Sequence, residues 1–146
     1  MPCSKRTLQK SGWPRRRQTD QTGRVMNPVE LFQRESDPVL LNAGDALFWE
    51  GEAADCMYVL LEGTADITVG KRVVETAGPG ALLGEMALID QSLRSASVIA
   101  KTPCRLARID LRRFHFLVQQ TPFFATHVMK VLVERVRKLT RQAAQS

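Results

Sequence analysis

Glu85 and Arg94, nine residues apart, are the side chains of this 146-residue sequence whose types and spacing most directly suggest chemistry. A guanidinium can clamp a phosphate through two parallel hydrogen bonds, which an ammonium cannot do. An ionised carboxylate only accepts hydrogen bonds, so Glu85 suits a ribose hydroxyl better than a phosphate. Between the two, the apolar run Met86 to Ile89 suits one or two helical turns, and the first N–H groups of such a helix offer a seat for an anion. Gly84 has no Cβ and lets the backbone approach a ligand closely. One acid, one Arg and a helix start match a ribose phosphate. Taken alone, the same pair would read as a turn and a surface charge; the glycine-punctuated strands on either side favour a site.

Those strands are short and closely spaced. Pro38 to Leu41 and Ala46 to Phe48 flank the turn Asn42-Ala43-Gly44-Asp45, and Cys56 to Leu61 is mostly apolar and reads as a buried strand. Thr64, Asp66 and Thr68 alternate with Ala65, Ile67 and Val69, which gives one wet and one dry face. Gly70-Lys71 separates that strand from Arg72 to Thr76, with Gly in the first position of a hairpin turn. Gly78-Pro79-Gly80 turns the chain into the Gly84–Ala96 stretch. An alternating strand from Arg94 to Ala100 and another from Arg105 to Ile109 follow. Many short strands with regular turns predict a mainly β jelly roll, a double-stranded β-helix.

Helices flank it. Asn27-Pro28-Val29-Glu30 has the order of an N-cap, an N1 proline and an early acid, so a short helix should run to Gln33 or Arg34. Asp110 can cap a helix from Leu111 to about Gln119, and Thr121-Pro122 restarts the chain as a second C-terminal helix. Val128, Leu132, Val136 and Leu139 recur there at helical spacing, widened by Met129 and Val133. That stripe suits packing on the barrel or on a second copy of itself.

The stretch Gly84-Glu85-Met86-Ala87-Leu88-Ile89-Asp90-Gln91-Ser92-Leu93-Arg94-Ser95-Ala96 resembles the phosphate-binding cassette of the cyclic nucleotide-binding domain family. That family includes the catabolite activator protein, regulatory subunits of cyclic-AMP-dependent kinase and cyclic-nucleotide-gated channels. The likeness extends upstream through Ala43-Gly44-Asp45, Glu50-Gly51 and Leu61-Glu62-Gly63, and covers roughly Val29 to Leu139. The family often has Phe before the Gly-Glu pair; here Leu83 stands there, an apolar exchange. The resemblance implies a ligand site of Gly84, Glu85, Met86, Ala87, Arg94, Ser95 and Ala96. Within it, Glu85 would take the ribose 2′-hydroxyl, Arg94 the cyclic phosphate, and Ser95 and Ala96 hydrogen bonds on the phosphate side. It also implies a last helix that folds over the base and often supplies a dimer contact. The ligand would be cyclic AMP or cyclic GMP. Ser95 does not decide between them, and a bacterial-type sensor makes cyclic AMP the default. The expected role is a regulatory sensor, not an enzyme, with no metal or further cofactor, an unidentified protein partner and a possible homodimer. The alternative is a ligand-free interaction module of the same fold.

The formal charge of +6 would point to nucleic acid or anionic lipid if it were spread over the fold, but it is not. Residues 1–25 hold seven Lys and Arg against Asp20 alone, and residues 26–146 hold fourteen basic and fourteen acidic residues. Nucleic-acid binding by residues 26–146, the expected domain, is therefore disfavoured. The first 25 residues lack the apolar core of a secretory signal and have too few apolar residues to fold, so they read as a disordered arm, or as sequence ahead of a start at Met26. No helix-turn-helix pattern follows the last helix. Cys3, Cys56 and Cys104 form no metal-ligand spacing and suggest a reducing compartment, so the expected location is cytoplasmic, with no membrane-spanning stretch. His115 and His127 read as helix-surface residues and Glu50, Glu52 and Asp55 as a solvated loop. Arg105, Arg108, Arg112 and Arg113 read as an ion-paired face.

Overall fold

The computed structural model describes residues 28–144. The expected arm at residues 1–25 and the Asn27 cap lie outside the described residues. In chain order the elements are α1 (Pro28–Leu31), β1 (Val39–Leu41), β2 (Ala46–Phe48), β3 (Cys56–Glu62), β4 (Ala65–Val69), β5 (Arg72–Ala77) and β6 (Leu82–Leu83). There follow α2 (Glu85–Asp90), β7 (Ser97–Ala100), β8 (Cys104–Asp110), α3 (Leu111–Gln120) and α4 (Pro122–Ala144). The strands form two four-stranded antiparallel sheets, ordered β1-β8-β3-β6 and β2-β7-β4-β5. This is the jelly roll expected from the strand pattern.

β3 is apolar on both faces because it is covered on both. Leu60 packs between the sheets with Phe48, Ala65, Val98 and Leu106. Met57, Val59 and Leu61 face the helices, against Phe32, Leu117, Phe124 and Val128. Phe124 is fully buried and meets Phe32 and Phe114 edge-on, with centroids 6.0 and 5.9 Å apart. Such pairs add about 0.5–1.5 kcal/mol beyond the area they bury, and these tie both C-terminal helices to the turn that follows α1.

Asp110 caps α3 as expected, its Oδ1 accepting from the Arg113 N–H at 2.8 Å. The apolar stripe of α4 divides. Val128 is buried and Val131 and Leu132 pack on the core, while Met129, Val133, Val136 and Leu139 stay exposed. Three of the four arginines of the basic cluster are paired, Arg113 with Glu35 at 2.7 Å, and Arg105 with Glu62 and Arg108 with Asp55 at 3.6 Å each.

Two departures from the sequence pattern bear on the Gly84–Ala96 stretch. The seventh strand begins at Ser97, not Arg94. The Arg94 N–H goes to Glu52 O at 2.8 Å and its carbonyl accepts from the Gly51 N–H at 2.9 Å, so its backbone pairs with a loop and not a ladder. Leu82 and Leu83, which carry no strand signal of their own, pair with Val59 and Tyr58 and lead directly into Gly84.

Candidate functional site

Gly84 sits at φ 79°, a left-handed conformation that glycine adopts without strain, and it starts α2 with no side-chain cap. A Cβ at this position would collide with Arg94 Nη1, so the glycine is needed for space as well as for its dihedral. Ser92 closes the other end of the cassette by donating its N–H and hydroxyl to Asp90 Oδ1, at 3.0 and 2.6 Å. These bonds hold the Asp90 carboxyl below its usual pKa range.

All seven residues expected at the site, Gly84, Glu85, Met86, Ala87, Arg94, Ser95 and Ala96, line one cavity of about 40 Å³. Phe48, Ile67 and Arg135 complete it. Arg94 is only 5% exposed. Its guanidinium lies 4.0 Å above the Phe48 ring and donates from Nη1 to Gly84 O at 3.2 Å and from Nη2 to Cys56 O at 2.8 Å. The cation is held in place by protein carbonyls and an aromatic face.

Glu85 is fully buried. Oε2 lies 3.2 Å from Arg135 Nε, close enough for an ion pair but not aligned as a hydrogen bond. Burial pushes the Glu85 carboxyl above its ordinary pKa, and the Arg135 guanidinium opposes that rise. Among the described residues, the buried side-chain polar atoms without a hydrogen-bond partner are Glu85 Oε1 and Oε2 and Arg94 Nε, and both residues line this one cavity. Native interiors leave few such atoms unpaired. Two acceptors and a cationic donor held ready in one pocket suit a ligand with a hydroxyl and an anion.

Arg135 was not legible as a site residue. It lies 50 residues beyond Glu85, in a helix rich in Arg and Lys, and also donates from Nη2 to Leu82 O at 3.3 Å. Its side chain crosses from α4 over the cassette. Phe48 was missed likewise, since an inward Phe on a strand reads as core. His115 is exposed as expected, but His127 is half-buried and lines a neighbouring cavity. Burial and the nearby Lys130 charge lower its pKa. No described helix is long and apolar enough to cross a membrane.

Comparison with known proteins bears on this geometry. A family model described as "Cyclic nucleotide-binding domain" matches residues 38–121. The chain is 33% identical over 104 residues to the cAMP-activated global transcriptional regulator CRP of Pasteurella multocida, covering 67% of this chain and 50% of that one. The chain thus spans half the length of that regulator. Among solved structures, Thermus thermophilus catabolite activator protein superposes with a TM-score of 0.70 at 23% identity, over 90% of this chain and 59% of that one, a likeness of fold. The cGMP-bound form of the EAL enzyme Bd1971 superposes with a TM-score of 0.56 at 33% identity, over 75% of this chain and 30% of that one.

Proposed function

The chain belongs to the cyclic nucleotide-binding domain family, and from that premise we propose that the cassette binds a cyclic nucleotide and serves a regulatory role. The observation that supports this most is the set of unpaired buried atoms, Glu85 Oε1 and Oε2 and Arg94 Nε, in a single cavity. A ribose 2′-hydroxyl satisfies Glu85, and a cyclic phosphate satisfies Arg94, with Ser95 and Ala96 on the phosphate side and the Gly84, Met86 and Ala87 backbone closing the pocket. Relatives named for cAMP and cGMP are consistent with either base.

A cavity of about 40 Å³ is well below the roughly 300 Å³ or more of sites that enclose a small molecule. Binding therefore requires side chains to move, and Arg135 is the one that crosses the mouth. A ribose hydroxyl and Arg135 compete for the same carboxylate. Nucleotide binding thereby acts on α4 through Glu85, which couples the ligand to the C-terminal helix as a shift between two arrangements. The exposed half of the α4 stripe, Met129, Val133, Val136 and Leu139, pairs two copies of the chain. The working location is the cytoplasm, where cyclic nucleotides are made and where two buried, unpaired cysteines remain reduced.

The test is calorimetric titration of the purified chain, stripped of carried-over nucleotide, with cyclic AMP, cyclic GMP and 5′-AMP. Selective heat from a cyclic nucleotide, abolished by Arg94→Ala in a protein that still melts cooperatively, is the expected result. A well-folded chain that takes up neither cyclic nucleotide would instead be a ligand-free interaction module.

A further inference from the structure

A second cavity, of about 320 Å³, adjoins the first; Ile67, Leu83 and Arg135 line both, so the Arg135 side chain stands between them. Ile67, Ala77 and Leu83 form one wall and Val131 of α4 the other. An apolar sheet wall facing a largely polar helix across this volume suits a purine ring with polar edges, and the ring would lie next to the ribose phosphate site.

The edge of that slot carries an unexpected charge. β4 pairs with β5 through Ala65↔Ala77, Asp66↔Thr76 and Ile67↔Glu75, and then Thr68↔Val73, leaving Val74 as an extra residue. Ala77 is buried, and alternation puts Glu75 on the same face, where it stands exposed at the rim of the cavity. Thr76 takes the outward face, where its hydroxyl donates to Asp66 Oδ1 at 2.8 Å. A bulge beside a site commonly re-aims a side chain, and this one adjoins Glu75. Glu75 has no hydrogen-bond or ion-pair partner among the described residues, and its charge is felt at Glu85. Of the other charged groups lining the slot, Arg135 is held by Glu85 and Leu82 O. Glu134 and Lys138 lie one turn apart on α4, where opposite charges offset each other. His127 is held toward its neutral form. Glu75 is the acceptor on the sheet side of the cavity, and Glu134 the one on α4.

A carboxylate has two acceptor oxygens and no donor. Guanine presents N1–H and the 2-amino group side by side, two donors that one carboxylate can take together. Adenine presents its N1 lone pair in the corresponding place, which a carboxylate repels. Taking the second cavity as the seat of the base, which rests on the nucleotide site proposed above, we propose that Glu75 makes the site prefer cyclic GMP over cyclic AMP.

The experiment is titration of the full chain with cyclic GMP, cyclic AMP and cyclic IMP, which lacks the 2-amino group. Cyclic GMP is expected to bind at least roughly tenfold more tightly than cyclic AMP, with cyclic IMP between, as loss of one hydrogen bond to a charged acceptor implies. Glu75→Gln should weaken cyclic GMP by about the same factor and leave cyclic AMP binding no weaker than before. Equal affinities in the unaltered chain, or equal losses for both nucleotides in Glu75→Gln, would overturn the base preference while leaving the cassette reading intact. Absence of binding by all three to a folded chain would instead overturn the cassette reading itself. The unaltered chain decides the preference without any variant having to fold.

Discussion

Replacing Arg135 by Ala should remove the charge that faces a fully buried carboxylate. Breaking a buried ion pair from one side costs about 3–5 kcal/mol. Here the Arg135 side chain is 36% exposed while that of Glu85 is 1% exposed. The pairing is partly screened by water and imperfectly aligned, so about 2 kcal/mol is the better expectation. For a chain of this size that corresponds to a fall in Tm of roughly 6–10 °C. The cost should depend on Glu85: in a Glu85→Gln background, Arg135→Ala should cost no more than about 0.5 kcal/mol. It should also depend on pH. Burial raises the Glu85 pKa and Arg135 lowers it, so removing Arg135 raises it further. A carboxyl whose folded-state pKa exceeds its unfolded value binds more protons when folded within the window between the two. Stability contributed by that group therefore rises as pH falls through the raised pKa toward 4.5. The Arg135→Ala deficit should be larger at alkaline pH and shrink on acidification. Saturating cyclic nucleotide should raise the Tm of Arg135→Ala more than that of the unaltered chain, because a ribose hydroxyl gives Glu85 another partner. Denaturant titrations of the four proteins in the cycle, repeated at two pH values, measure all of this. An equal cost in both backgrounds, with no pH dependence, would refute the view that Arg135 acts through Glu85.

Two further expectations concern the cassette and the last helix. Gly84→Ala places a Cβ against Arg94 Nη1 at a φ of 79°; denaturant melts should show a loss of at least about 1–2 kcal/mol, and titration a fall in nucleotide affinity that exceeds any loss of fold. Val136→Glu with Leu139→Glu should leave Tm nearly unchanged in a monomer, since both residues are exposed, but should convert the expected dimer to a monomer in sedimentation; a chain already monomeric at high concentration would contradict the pairing of α4.

The β framework was legible because its signals are local. Turn glycines, alternation in Ala65–Val69 and the Asp110 cap each act within a few residues, and strand β3 announced its burial by composition alone. The cassette was legible for the same reason, being one continuous stretch. What escaped the sequence is what long-range packing decides. Arg94 looked like the first residue of a strand, but hydrogen bonds to Gly51 and Glu52 hold its backbone on a loop. Arg135 and Glu75 lie on opposite sides of the Gly84–Ala96 stretch in sequence, and no periodicity marks either. Only the fold brings Arg135 to Glu85, and only the register of β4 with β5 sets Glu75 at the rim of the second cavity.

The two ends of α4 differ in a way that has mechanical meaning. Phe124 and Val128 pin the beginning of the helix in the core, whereas beyond Leu132 the residues are mostly exposed up to Ala144. From Phe124 to Ala144 the helix extends about 30 Å at 1.5 Å per residue. It is a lever with its fulcrum in the aromatic cluster, and Arg135 grips it near the middle of its length. A tilt of roughly 10° about that fulcrum carries the tip through about 5 Å for a helix of that length. Displacement at the tip is nearly twice that at Arg135, so under the coupling proposed above a side-chain rearrangement at Glu85 of an ångström or two would reach the far end of α4 as a larger stroke.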